Sequence, residues 1–141
     1  MIKSVSIAEE IRISTRNKVG LLADIAAITA NEGINIDAVL GYEAGRSAKI
    51  LLITPANLAI LAALRKKRYK FMKETEVVLV ELINKPGALK VVTTELKNNH
   101  IDIKYVYITS CSGEGSSKMV LQTNDNEKTM SLLTRYVRSV A

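Results

Sequence analysis

The residues of this chain whose types and spacing could do chemistry lie in a short segment that occurs twice. Asn17 and Gly20 return as Asn84 and Gly87, at a constant offset of 67 residues. In each copy the segment stands between a strand-like apolar run and a helix-like run, which places its backbone amides at a helix N-terminus. Such amides, with the positive end of the helix dipole, favour a carboxylate. The asparagine adds a donor and an acceptor, which suits the paired charges of an α-amino acid.

The same segment also has a purely structural interpretation. Asn84 can cap the exposed donors of a helix, and Pro86 suits the first helical turn, where its missing N–H has no partner. Gly87 lets another backbone or a ligand approach the free amides. One copy alone therefore does not distinguish a ligand-binding loop from a capped helix start.

Other side chains offer little for catalysis or for metal binding. Cys111 and His100 are each the single residue of their type, which excludes an intrachain disulfide and a structural zinc site built by one chain. Gly113 and Gly115 lack the spacing of a phosphate loop and predict a flexible hairpin. No Ser-His-Asp set is present, and acid–base catalysis would depend on scattered carboxylates. The sequence predicts no catalytic residue, no metal and no cofactor.

The net charge of +6 allows two interpretations. Much of it comes from one cluster, which we expect at a helix end, where the helix dipole favours cations. A basic ferredoxin-like nucleic-acid-binding module is the alternative, but the aromatic strand signature of RNA-recognition domains is absent. No segment approaches 18 apolar residues, so the sequence predicts a soluble, cytoplasmic protein without a membrane partner. A nucleic-acid partner is not expected, because that aromatic signature is missing. The cluster consists of Arg65, Lys66, Lys67, Arg68, Lys70 and Lys73.

The elements that position the repeated segment are themselves repeated. Eight of the 23 residues in 17–39 are identical to those in 84–106, which indicates one supersecondary unit used twice. The first helix of each module is predicted to follow the Asn-Lys pair and to end at residues 31–33 in module one and 98–100 in module two. The residues predicted to face inward are Leu22, Ile25, Ala26 and Thr29 in the first of these helices, and Leu89, Val92, Thr93 and Leu96 in the second. The second helices are predicted near Ala56–Lys67 and Asp125–Arg138, with Leu58, Leu61 and Leu64 inward in the former and Met130, Leu133 and Val137 in the latter. Strands are predicted at Glu10–Arg16, Asn35–Tyr42, Ala48–Thr54, Tyr69–Lys73, Val77–Ile83, Asp102–Thr109 and Ser117–Thr123.

This element order predicts an α+β fold of two ferredoxin-like βαββαβ modules, with antiparallel sheets and helices on one face. The modules are predicted at residues 1–75 and 76–141. Module two lacks a closing strand, because only three residues follow its last helix. We therefore predict that Ile2–Ile7 supplies its edge strand beside Val77–Ile83.

The pattern N-x-P-G-x-L after a strand, then a helix, then [IV]-[ND]-I opening the next strand, resembles the ACT domain. The resemblance covers both halves of the chain and implies a stand-alone tandem ACT protein. ACT domains are regulatory βαββαβ modules that commonly bind amino acids where two modules meet. Transferred to this sequence, the resemblance implies two sites: Asn17 and Gly20 with Asp102, and Asn84 and Gly87 with Asn35.

Two departures from the family pattern make the copies unequal. Val19 stands where the family has proline, and Asp102 stands where asparagine is usual. The Asn84–Gly87 loop keeps the proline and is the closer match. The resemblance implies a regulatory protein that binds a small molecule, an amino acid, between modules, and we expect it to form a homodimer.

Overall fold

The computed structural model describes residues 1–109 and 115–137, so the predictions for Cys111, Gly113 and the helix end at Arg138 lie outside the described residues. Each half of the chain contains two helices. In each half a strand precedes the first helix, and a pair of strands connects the first helix to the second. The elements are β1 (Ile2–Arg16), α1 (Leu21–Asn31), β2 (Ala38–Ala44), β3 (Ser47–Ile53), α2 (Asn57–Lys66), β4 (Phe71–Ile83), α3 (Ala88–Asn98), β5 (Ile103–Thr109), β6 (Ser116–Thr123) and α4 (Asn126–Thr134).

Two long strands, β1 and β4, are each shared between two compact units. The first unit comprises Glu9–Thr75, and the second unit comprises Met1–Ala8 together with Glu76–Ala141. The sequence predicted each long strand as two shorter segments, because polar residues interrupt the apolar alternation near the middle of both. Continuous strand hydrogen bonding carries the backbone through these polar stretches.

In the first unit the hydrogen-bonded strands lie in the order β2, β3, β1, β4. β3 is antiparallel to both of its neighbours, with Ile50 opposite Gly41 on β2 and opposite Ile13 on β1. Because side chains alternate between the two faces of a strand, Ile13 and Ile50 share the face that packs with Ile25 of α1 and Leu64 of α2. The helices therefore cover one face of this sheet.

In the second unit the order is β1, β4, β6, β5. The N-terminal segment is part of this sheet, since the Ile83 amide donates to the Met1 carbonyl at 2.8 Å. Ile2 is 2% exposed and packs in the core with Val92 of α3. Ile2 also forms an isolated parallel bridge with Val137, so the N-terminal strand is fixed on both sides.

The fold-class prediction is confirmed, including the N-terminal strand that completes the second module. The predicted helix stripes are confirmed at Ile25 and Thr29 in α1 and at Val92 and Leu96 in α3. Their first members are wrong by one residue. α1 buries Leu21, whereas Leu22 is 46% exposed, and α3 buries Ala88, whereas Leu89 is 46% exposed. Both helices begin directly after a left-handed glycine, so the first helical residue, not the second, faces the core.

The prediction for α2 also needs a correction. Leu58 was expected to face inward, but it is 76% exposed, while Ile60, Leu61 and Leu64 are buried. The predictions for Leu61 and Leu64 are confirmed, and only Leu58 is wrong, because Ile60 takes the core-facing place in the first turns of the helix. In α4 the predicted Leu133 is buried.

Candidate functional site

The first copy of the repeated loop connects β1 to α1 in the first unit. Gly20 has a φ of 87°, in the left-handed region, and α1 begins at the next residue. A Cβ atom on Gly20 would meet nothing within 4 Å. The requirement for glycine is therefore conformational, because residues with a side chain rarely adopt this backbone geometry.

The N-terminus of α1 carries no side-chain cap. The amides of Leu22 and Ala23 lie in the first turn, where the helix itself provides no acceptor. α4 differs, because the Asp125 carboxylate accepts a hydrogen bond from the Lys128 amide at 3.0 Å. α1 thus presents backbone donors that a carboxylate could accept from, with the helix dipole adding to the attraction.

Asn17 does not cap α1. Its Nδ2 atom donates to Glu43 Oε2 at 3.1 Å, and its backbone amide donates to the Arg46 carbonyl at 3.0 Å. Asn17 therefore joins the loop to the hairpin between β2 and β3. Beside it, Lys18 Nζ lies 3.1 Å from Asp24 Oδ2, an exposed ion pair that adds little to stability.

An open cavity of about 350 Å³ lies between this loop, the first turn of α1 and the end of β2. Gly41 keeps it open, because a Cβ atom there would come within 3.0 Å of Ile50 Cδ1. Sequence reasoning missed Gly41, although a glycine inside a strand pattern signals close approach by a ligand or a backbone. The lining residues are Asn17, Lys18, Gly20, Leu21, Leu22, Ala23, Gly41, Tyr42, Glu43, Ala48 and Ile50.

The cavity combines groups of opposite polarity on an apolar base. Leu22 and Ala23 bring the uncapped amides, while Glu43 brings a carboxylate that already accepts from Asn17. Donors for a carboxylate and an acceptor for an ammonium group match the paired charges of an α-amino acid. Ile50 and the half-exposed Leu22 side chain offer apolar contact for the remainder of such a molecule.

The second copy of the loop has the same backbone and different surroundings. Gly87 has a φ of 91°, and α3 also begins without a side-chain cap. Met1 Cε lies 3.7 Å from the place that a Cβ atom on Gly87 would occupy. Ile108 pairs with Met119 on β6 just as Gly41 pairs with Ile50 on β3, so an isoleucine stands where the first unit has glycine.

Asn35 and Asp102, the two predicted strand-start residues, are both exposed. Asn35 Nδ2 lies 3.4 Å from Asp37 Oδ1, just before β2. The Asp102 amide donates to Asn124 Oδ1 at 3.0 Å, just before β5. The predicted pairing of each residue with the loop of the other module is not tested by the structure of either unit and stays a prediction.

Within residues 1–109 and 115–137, no group of three or more His, Cys, Asp or Glu side chains could hold a metal ion. Among the described helices, none combines the length and the apolar character needed to span a membrane.

The sequence matches no protein-family model and no curated protein. Solved structures do resemble it. Protein BT0572 from Bacteroides thetaiotaomicron superposes with a TM-score of 0.84 at 23% identity, over 94% of this chain and 90% of that one. The regulatory subunit of aspartate kinase from Thermus thermophilus, in a ligand-free form, gives 0.66 at 12% identity, over 98% and 100%. A structure of aspartokinase alpha and beta subunits gives 0.68 at 15% identity, over 96% and 95%. The chain therefore shares the ferredoxin-like, ACT-type fold of these structures.

Proposed function

We propose that this chain is a regulatory protein that binds an amino acid in the cavity beside the Asn17–Gly20 loop. The observation that carries the proposal is that the uncapped amides of Leu22 and Ala23 and the Glu43 carboxylate line the same open cavity. The amides would hold the ligand's carboxylate, and Glu43 would pair with its ammonium group. The likeness of the fold to a regulatory subunit of aspartate kinase supports this role.

The proposed site would be completed by a second copy of the chain. β2 is an edge strand of the first unit and exposes Val39 (41%) and Tyr42 (47%), of which Tyr42 lines the cavity. An exposed edge is a template for pairing with another strand. A homodimer formed along β2 would cover the cavity, and the predicted contribution of Asp102 or Asn35 would then come from a neighbouring module. The ligand would shift this equilibrium only if it binds the dimer more tightly.

The proposed role is binding, and no catalytic residue is assigned. The absence of a cofactor and the cytoplasmic location remain predictions from the sequence. A regulatory role requires a target, which we propose to be a separate enzyme or regulator.

A thermal-shift screen of the full chain against the twenty common amino acids tests the proposal. A ligand at about 100 times its dissociation constant adds about 2.7 kcal/mol of stability, which raises the midpoint by several degrees in a protein of this size. We expect one amino acid, or a chemically related group, to produce this shift. Failure of every amino acid to move the midpoint would contradict the proposal.

Two variants locate the ligand in the cavity. Gly41→Ile copies the residue that the second unit has at this place and should remove the shift, while Gly41→Ala should only reduce it. Ile108→Val, at the equivalent place in the second unit, is the matched control and should respond as the unchanged chain does. A full shift in Gly41→Ile would place the ligand elsewhere.

A further inference from the structure

A separate groove lies on the opposite face of the first unit's sheet. Ile11 and Ile13 face the helices, so Arg12 and Ser14 lie on the other face. Lys49 stands opposite Ser14 in the antiparallel register of β1 and β3. Together with Phe71 and Lys73 of β4, these residues line an open groove of about 400 Å³.

The groove is positively charged. Its eight lining residues include three cations, Arg12, Lys49 and Lys73, and the buried Glu10 lies on the same face of β1 as Arg12. Lys49 Nζ donates to Ser14 Oγ at 2.7 Å, which holds the ammonium group on this face. A concave surface lined by one sign of charge concentrates ions of the opposite sign. Lys73 also shows that the basic cluster of the sequence extends beyond the end of α2 into the sheet.

An aromatic ring stands beside the cations. Phe71 is 74% exposed although it belongs to a strand, while Leu51, next to it in the groove, is 2% exposed and forms an apolar base. An exposed aromatic ring next to Lys and Arg side chains is the combination on which proteins stack nucleobases while the cations hold phosphate. Sequence patterns did not identify Phe71 as a binding residue, because it stands alone and not in an RNA-recognition signature.

The second unit lacks this combination at the matching place. Glu81 pairs with Lys118 across β4 and β6, as Ser14 pairs with Lys49 across β1 and β3. Glu81 Oε1 accepts a hydrogen bond from Ser116 Oγ at 2.6 Å. A carboxylate therefore accompanies the lysine in one unit, whereas a neutral hydroxyl accompanies it in the other.

We infer that the groove of the first unit binds a phosphorylated nucleotide, either free or as part of a single nucleic-acid strand. Lys49 and Lys73 hold the phosphate, and Phe71 stacks on the base. The site is distinct from the amino-acid cavity, so it does not depend on the proposed regulatory function. Two cation–phosphate contacts on a single strand would give binding that weakens with salt, with a log–log slope of about −1.4.

Fluorescence anisotropy with the full chain tests the inference, using a fluorescein-labelled deoxythymidylate oligomer of about eight nucleotides and unlabelled ADP as competitor. Lys49→Ala and Ser14→Glu should each weaken binding at least tenfold. Phe71→Ala should weaken it by about 5- to 100-fold, the loss of one stacked base. Lys118→Ala removes the equivalent lysine of the second unit and should leave affinity unchanged.

Each outcome decides the question. Displacement of the oligomer by ADP supports the site and identifies the free nucleotide as a ligand, and oligomer binding without displacement supports the site and identifies a strand. Absence of oligomer binding overturns the inference. Equal weakening by Lys118→Ala and Lys49→Ala overturns it too, because it would mean unspecific attraction of a polyanion. Ser14→Glu should fold, since Glu81 and Lys118 already form the same cross-strand pair, and circular dichroism checks this.

Discussion

The two copies of the repeated loop have nearly the same backbone and different environments. Gly20 and Gly87 have φ angles of 87° and 91°, and each precedes a helix without a side-chain cap. Beside the first loop, Gly41 leaves an open cavity, whereas Ile108 takes the matching place in the second unit. The two loops thus share a backbone conformation, while the side chains beside them differ.

The sheet faces of the two units also carry different residues at matching places. Ser14 and Glu81 occupy matching places beside Lys49 and Lys118, so a neutral hydroxyl accompanies the lysine in one unit and a carboxylate accompanies it in the other. Both candidate sites therefore fall in the first unit. The closer family match, the loop with Pro86, is in the second. Divergence between the copies is more informative about binding than their similarity.

The largest effect that tests this comparison is expected from Gly20→Ala and Gly87→Ala. Neither position is crowded, since the nearest atom is Met1 Cε at 3.7 Å from a Cβ on Gly87. Each substitution should therefore cost only the left-handed backbone strain, about 1–2 kcal/mol, and the two costs should agree. Urea denaturation measures them, with Val19→Ala at a fully exposed side chain as control. A much larger cost at Gly87 would show that the loops are not conformationally equivalent.

An intermediate effect is expected from exchanging the residue before the glycine. Val19→Pro gives the first loop the proline of the second and should stabilise the chain by about 0.4–1 kcal/mol, because it restricts the unfolded state. Pro86→Val should destabilise it by a similar amount. Thermal and urea denaturation of both variants measure the pair. If Val19→Pro destabilises the chain, the backbone before Gly20 differs from that before Gly87.

Much of the fold could be predicted because it depends on periodic patterns. The strand–helix order and the N-terminal strand of the second unit follow from alternation and from the missing last strand, and both are present. The first buried residue of α1 and of α3 could not be predicted from apolar spacing, because it depends on the residue at which each helix begins after its left-handed glycine. Leu21, the first residue of α1, faces the core, and Leu22 is exposed.

The candidate sites were less predictable than the fold. Asn17 and Gly20 were identified from the repeat, and both line the cavity. Glu43 and Gly41 were not identified, because their contribution depends on the register of β2 against β3 and on the approach of a loop distant in sequence. The same holds for the groove, where Arg12, Lys49 and Phe71 come from three strands that only the sheet brings together.

The smallest expected effect concerns the pH dependence of Glu81. The Ser116 hydroxyl donates to its carboxylate, and, with Ser4, Lys3 and Lys118, it holds the pKa of Glu81 below its ordinary value. A carboxyl whose pKa is lowered by folding contributes stability above its unfolded pKa, about 4.3. That contribution is lost as the pH falls through the folded value. Glu81→Gln should therefore be slightly less stable than the unchanged chain at pH 7, and the difference should disappear in acid.

Ser14→Gln, at the matching place in the first unit, removes no titrating group, so its stability difference should not change with pH. Urea denaturation at a series of pH values measures the free energy of unfolding of both variants. If Glu81→Gln lowers it by the same amount at every pH, the charge of the carboxylate has no part in distinguishing the two sheet faces.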